Sequence, residues 1–338
     1  MSGTVKKRTP LTLDDLEKGV RRSERTILGR AITLVESKSP AHMQLASELL
    51  GRLATTERNT LRIGITGVPG VGKSTFIEAL GLHLLSIGKR VAVIAVDPSS
   101  TISGGSILGD KTRMERLVQH DNCFIRPVPS RGTLGGVAQN SMETILLCEA
   151  AGYDVILVET VGVGQNEATV RDLVDFFLLL MLPNAGDNLQ GIKRGIMELA
   201  DHIFINKADG DSVHAAELAR AEYAGSMEFM RSSTRGWSPV VTIGSALATT
   251  GICDLWQVVE AFARNTQESG VFDERRRNQR RQWFKLRLAQ QLQSRFFAHP
   301  EVQQEIGRTE CLFLKGTLSL NDAMEKILGV MNLSLPEE

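Results

Sequence analysis

Cysteine is scarce in this chain: four residues in 338, Cys123, Cys148, Cys253 and Cys311, far apart and with no C-x-x-C pair. That spacing argues against a disulfide framework and a cysteine-built zinc site, and a reducing, cytoplasmic setting is expected. An excess of charge is also lacking. Lys and Arg number 39 and Asp and Glu number 39, for a formal net charge of zero. No overall field therefore draws the chain to nucleic acid or to an anionic membrane, and any charged interaction must be local. Long apolar runs are absent too. The most apolar stretch, Phe176 to Leu182, falls far short of the roughly 20 residues that span a bilayer. It reads as a strand buried on both faces, as in a parallel sheet. Met1 to Leu16 is polar and charged, so no secretory signal is expected, and the early Asp14, Asp15 and Glu17 argue against a transit peptide.

What is present is an ordinary globular composition, 42% hydrophobic with a mean hydropathy of -0.07. The length suggests a main domain of common size with helical additions. From Leu11 to about Thr56, apolar residues recur at helical spacing (Ile27, Ala31, Leu34 and Val35, then Leu45, Leu49 and Leu50), with Ser39-Pro40 between. This predicts a leader of two or three helices. From Leu61 the pattern changes to seven short apolar runs separated by helix-like segments: Leu61 to Thr66, Arg90 to Val96, Cys123 to Val128, Val155 to Glu159, Phe176 to Leu182, His202 to Asn206 and Val240 to Ile243. Strands alternating with helices imply right-handed β-α-β units and an α/β fold, a mostly parallel sheet between helices. After about Arg264 a basic helical stretch begins, with Arg275, Arg276, Arg277, Arg280, Arg281, Lys285 and Arg287. The expected domains are residues 1–58, 59–265 and 266–338.

Gly67-Val68-Pro69-Gly70-Val71-Gly72-Lys73-Ser74 fits G-x-x-x-x-G-K-[ST], and it lies between the first strand and a helix start at Thr75. Glycines in such a loop let backbone N–H groups surround a triphosphate, the helix N-terminus adds its positive dipole end, and Lys73 reaches the β and γ oxygens. Ser74 is the hydroxyl for Mg²⁺. Asn206-Lys207-Ala208-Asp209 follows the sixth strand. An aspartate there can accept two hydrogen bonds from the N1–H and N2–H₂ edge of guanine, whereas adenine offers no such donor pair. The stem of Lys207 can cover the base, and Asn206 can tie this loop to the phosphate loop. Ser245-Ala246-Leu247, after the seventh strand, can offer a backbone N–H to the guanine O6. GTP and GDP are therefore the expected nucleotides rather than ATP. Glu159, at the end of the fourth strand, can hold Mg²⁺ through water, and the glycines of Val161-Gly162-Val163-Gly164-Gln165 can sense a γ-phosphate. Gln165 either orients the attacking water or is an exposed polar residue of that loop.

With these residues in view the chain resembles the MeaB/ArgK/MMAA family of G3E-type P-loop GTPases, chaperones of adenosylcobalamin-dependent acyl-CoA mutases such as methylmalonyl-CoA mutase. The resemblance spans about Leu16 to Met331. Its most specific parts are Val96 to Ser100, Gly104 to Met114, Gly132 to Gly136, Glu159 to Gln165 and Asp187 to Lys193. It implies that Ser74, Asp97, Asp110 and Glu159 form the Mg²⁺ and switch set. It also implies that Asp187 and Lys193 belong to a third switch coupling nucleotide state to the mutase. Leu182-Pro183-Asn184-Ala185-Gly186 departs from the more glycine-rich approach the family would have there.

Two other readings start from the same loop. A metal-delivery GTPase needs a Cys/His cluster, and the six histidines, His42, His83, His120, His202, His214 and His299, are scattered. A small-molecule phosphotransferase needs an acceptor pocket with its own base, and no such motif stands out. Turnover by in-line attack of water, slow and stimulated by a partner, is the expected reaction. Phe284, Leu288, Leu292 and Phe296 recur every fourth residue. They form one apolar stripe suited to a partner helix, a homodimer contact or the chain's own domain. The neighbouring arginines come with no aromatic platform for nucleic acid.

Overall fold

The computed structural model describes residues 11–37, 39–54, 59–97, 114–129, 134–160, 167–183 and 194–331; of 40, 97, 129, 134–139 and 194 it describes the main chain only. Asp110, Gln165, Asp187, Lys193 and most of the switch segments lie outside these residues, as does the side chain of Asp97.

Three helices lead: α1 Leu13–Arg21, α2 Arg25–Val35 and α3 Pro40–Leu53. Thr12 starts the first with a reciprocal cap, its hydroxyl accepting from Asp15 N while the Asp15 carboxylate accepts from Thr12 N. Pro40 opens α3 at the position where a missing N–H is free of cost. Seven strands follow: β1 Leu61–Gly67, β2 Val91–Asp97, β3 Cys123–Pro129, β4 Val155–Thr160, β5 Phe176–Met181, β6 His202–Ile205 and β7 Val240–Ile243. All pair in parallel, in the order β3-β2-β4-β1-β5-β6-β7. The connecting helices are α4 Lys73–Ser86, α5 Glu115–Val118, α6 Leu134–Ala150, α7 Glu167–Arg171, α8 Arg194–Leu199 and α9 Val213–Glu228, with α10 Ile252–Glu268 after the last strand.

The continuous apolar runs make sense in a sheet covered on both sides. Phe176, Leu178 and Leu180 of β5 pack with Phe76 and Leu80 of α4 and Trp256 and Phe262 of α10. The alternating Leu179 and Met181 pack with Ile196 of α8 and Tyr223 of α9. The period of two thus feeds two layers, and burying each such side chain contributes about 1.5–3 kcal/mol.

An aspartate stands one residue before each of three strands, and its carboxylate takes a backbone N–H from within, or from the residue just before, a neighbouring one. Asp154 accepts from Arg90 N at 2.8 Å, Asp175 from Arg62 N at 2.8 Å and Asp201 from Phe177 N at 2.9 Å. Two of these anchor a buried ionic floor at the N-terminal end of the sheet, together with the first turns of α11 Val271–Ala298. Arg276 pairs with Asp175, with Glu149 at 2.8 Å and with Thr60 O at 2.8 Å. Arg62 forks onto Glu149 at 2.8 and 2.9 Å, and Gln279 donates to Val174 O at 2.8 Å. Arg171 and Arg275 converge on Asp201 and Thr234. Sequence periodicity gives Arg275 and Arg276 a place on a charged helix face; both are instead drawn inward by carboxylates far away in the chain. Burial raises the Glu149 carboxyl, but Arg62 and Arg276 outweigh it and leave its pKa lowered. At Asp201 burial wins over Arg171 and Arg275, and the pKa is raised.

The chain separates into two compact units, Met1–Gln279 and Arg280–Glu338, dividing inside α11. The second contains the rest of that helix with α12 Pro300–Leu314 and α13 Leu320–Gly329. Within it Val302, Thr309 and Ala323 are buried, while Phe284, Leu288 and Leu292 are 64%, 48% and 61% exposed. Cys123 and Cys148 are buried in the first unit, and Cys253 and Cys311 are exposed.

Candidate nucleotide site

The C-terminal ends of β1, β4 and β6, together with the residues that follow β7, bring together those predicted site residues that the structure describes around the phosphate loop. The phosphate loop leaves β1 at Gly67, where an added Cβ would sit 2.6 Å from Leu180 O of the adjacent strand. Gly72 closes the loop with φ at 91° and caps α4, and a Cβ there would meet Asn206 Nδ2 at 3.1 Å. Both positions therefore require glycine. Val68 and Val71 close a turn, Val71 N donating to Val68 O at 3.2 Å. Pro69, Gly70 and Thr75 are exposed.

Lys73 donates from Nζ to Gly67 O at 3.0 Å. Burial lowers its pKa, opposed by the carboxylates of Glu159 and Glu167. Glu167 is itself buried at the start of α7. The sequence motifs do not reach it, and its only signal is an acidic residue following a glycine-rich loop. Ser74 Oγ lies 3.5 Å from Glu159 Oε1, so the hydroxyl and the β4 carboxylate face one another.

Asn206 joins three loops. Buried beyond β6, it donates from Nδ2 to Val71 O at 2.8 Å and accepts at Oδ1 from Ala246 N at 2.9 Å. Lys207 adopts φ of 61° and donates from Nζ to Gly70 O at 2.8 Å, laying its stem along the phosphate loop. Asp209 is exposed and extended, with φ of -134° and ψ of 158°, ahead of a short 3₁₀ turn. Ser245 and Thr250 exchange backbone hydrogen bonds around the Ala246-Leu247 turn, and Leu247 is 83% exposed. Two of the three amides in this tripeptide, those of Ser245 and Ala246, are thus engaged within the protein. Asp97 ends β2 at the same end of the sheet. Among the described residues, no group of three or more His, Cys, Asp or Glu gathers to hold a metal, and no helix is long and apolar enough to cross a membrane.

Known proteins are similar to this chain over most of their length. A protein from Mycobacterium tuberculosis (strain ATCC 25618 / H37Rv) named "Probable GTPase Rv1496" is 48% identical over 96% of this chain and 96% of its own. GTPase ArgK of Escherichia coli (strain K12) is 44% identical over 94% and 96%. The mitochondrial methylmalonic aciduria type A homolog of Mus musculus is 43% identical over 94% and 79%. A crystal structure described as LAO/AO transport system kinase superposes with a TM-score of 0.72 at 37% identity, covering 96% and 99%. The family model for methylmalonyl Co-A mutase-associated GTPase MeaB matches residues 28–301. A glycine-bearing loop between β1 and α4 of a seven-stranded parallel sheet and these matches lead to one assignment: the chain belongs to the MeaB family of GTPases, with ArgK and the methylmalonic aciduria type A proteins among its relatives.

Proposed function

We propose that this GTPase hydrolyses GTP with Mg²⁺ at the site above and, through its nucleotide state, serves an adenosylcobalamin-dependent acyl-CoA mutase in the cytoplasm, gating cofactor loading and repair. The observation that carries the nucleotide half is Asn206, a buried carboxamide bonded to both Val71 and Ala246, which makes the base loops and the phosphate loop one assembly. Asp209 accepts from the guanine N1–H and N2–H₂ edge while the Lys207 stem covers the ring. Leu247 supplies the amide for O6, because the amides of Ser245 and Ala246 are engaged. Lys73 exchanges the Gly67 carbonyl for the β and γ oxygens of GTP. Its burial strengthens that attraction, since charges interact more strongly away from bulk water. Water attacks in line, oriented by Gln165, while Lys73 and the loop N–H groups stabilise charge on the transferring phosphoryl group. The hydroxyl of Ser74 beside the carboxylate of Glu159 is a hard oxygen donor set that fits Mg²⁺. With Asp97 and Asp110 these residues would hold the ion, whose positive charge would offset that of the phosphate oxygens.

The family description supports the mutase half. Asp187 and Lys193 are the proposed coupling residues, and the coupling is reciprocal: a mutase that prefers one nucleotide state changes nucleotide affinity by the same factor. GTP turnover of wild type and Lys193→Ala, with and without a cognate acyl-CoA mutase, tests this. The variant is expected to keep its basal rate and lose most of the stimulation; equal stimulation of both overturns the switch, and an unresponsive wild type overturns the partner. The exposed stripe Phe284, Leu288 and Leu292 supports a homodimer through the second unit, since large apolar side chains exposed in a row mark an interaction surface. Leu288→Glu with Leu292→Glu is expected to sediment as a monomer that still binds GTP, and a monomeric wild type refutes the dimer.

A further inference from the structure

β1 and β4 run side by side at the centre of the sheet, paired from Leu61 with Val155 to Ile65 with Glu159. One residue later that pairing has ended, while each strand keeps the outer neighbour it already had. Thr66 and Gly67 pair with Leu179 and Leu180 of β5, and Thr160 pairs with Val96 of β2. The backbone pairing of the two strands thus ends where β1 becomes the phosphate loop. Parallel α/β sheets bind ligands at such partings, at the carboxyl ends of the strands.

Across this parting, beyond the last backbone pair, the Thr160 hydroxyl lies 2.8 Å from the Thr66 hydroxyl and 3.4 Å from Ile65 O. The two side chains are 1% and 0% exposed, and their branched Cβ atoms restrict rotation, so the hydroxyls are held where they are. Thr160 is bonded directly to Glu159, whose Oε1 is 3.5 Å from Ser74 Oγ. Thr66 is bonded directly to Gly67, whose carbonyl accepts from Lys73. Two valines of the same shape would pack here equally well, so packing alone does not call for hydroxyls, and a buried hydroxyl costs free energy unless it is paired.

We infer that Thr66 and Thr160 are a positioning pair, a hydroxyl bridge that fixes the spacing between Glu159 and the phosphate loop and so sets the Mg²⁺-dependent part of nucleotide binding. The inference rests on the reading of Glu159 as a carboxylate for Mg²⁺. A purely structural hydrogen bond would affect stability, and would affect nucleotide affinity equally with and without the ion. A positioning bridge acts on the Mg²⁺-dependent increment alone.

The test is the affinity of the full chain for a fluorescent GDP analogue, in saturating Mg²⁺ and in excess EDTA, for wild type, Thr160→Val, Thr160→Ser and Glu159→Gln. Thr160→Val is expected to match wild type within about twofold in EDTA and to lose about three- to tenfold of the Mg²⁺ enhancement, the range of one net hydrogen bond. Thr160→Ser, which keeps the hydroxyl, is expected to restore it. Full enhancement in Thr160→Val, or an equal loss in EDTA, overturns the inference. Should Thr160→Val fail to fold, Thr66→Val removes the bridge from the other side and carries the same expectation. If Glu159→Gln leaves the enhancement intact, the Glu159 reading fails and the inference with it. If Glu159→Gln abolishes the enhancement while Thr160→Val does not touch it, only the bridge is wrong.

Discussion

The two ends of the sheet are held by different forces. At the nucleotide end, single hydrogen bonds from Lys73, Lys207 and Asn206 reach backbone carbonyls of a glycine-bearing loop. At the opposite end, Arg62, Arg171, Arg275 and Arg276 interlock with Glu149, Asp175 and Asp201, most of them nearly sealed from water. A bond to a carbonyl is readily traded for a bond to a phosphate oxygen. A buried charge, once its partner is removed, has no such exchange. The molecule thus keeps its exchangeable bonds where ligands arrive and its costly ones where nothing is expected to move.

Substitutions at the two ends should therefore separate stability from function. The largest effect is expected at the floor. Arg276→Met leaves the Asp175 carboxylate without its guanidinium and Glu149 with Arg62 alone, and should lower unfolding free energy by about 3–5 kcal/mol in urea, while the folded fraction binds GTP normally. A stability close to wild type would show that the floor is solvated. At the nucleotide end, Lys73→Ala should cut single-turnover hydrolysis by at least about a hundredfold with a nearly unchanged urea midpoint. Normal turnover would place the chemistry elsewhere. Asp209→Asn should weaken GTP binding by about 2 kcal/mol and improve binding of xanthosine triphosphate, whose C2 oxygen replaces the amino group. Unchanged GTP affinity would remove Asp209 from the base site.

The smallest effect per unit is one of pH. His202, at the start of β6 beside the floor, is buried and its pKa is pushed down to about 3 from an ordinary 6.5. The unfolded chain therefore binds a proton that the folded chain refuses between those values. The associated stability is complete above pH 6.5 and is lost as pH falls, by about 1.4 kcal/mol per pH unit from this group. His202→Gln should flatten that part of the profile, and an unaltered slope would point to other groups.

Much of the fold was legible because burial leaves a mark on sequence. Phe176 to Met181 is apolar at every position since both faces are covered, and the Val240–Ile243 run survives as a strand although it lies at the edge of the sheet. The placement of Gly67 to Ser74 between β1 and α4, and of Asn206 just past β6, was legible because a glycine-rich turn and the end of an apolar run both mark the sequence. The ionic floor was not, because Arg276 finds Glu149 and Asp175 more than a hundred residues away. A faint signal existed in Asp154, Asp175 and Asp201, each immediately ahead of an apolar run. The division of the chain at Gln279 leaves no trace in composition, since it falls inside one continuous helix.

The distribution of thiols has a practical consequence. Burial pushes Cys123 up to about 12 and raises Cys148 as well, so neither offers thiolate to an alkylating reagent in the folded chain. Cys253 opens the helix after the base loop, and Cys311 lies in the second unit, both open to solvent. A maleimide dye added to the unaltered protein should therefore mark one site in each unit, and delayed uptake at the other two sulfurs would time global opening without a single engineered residue.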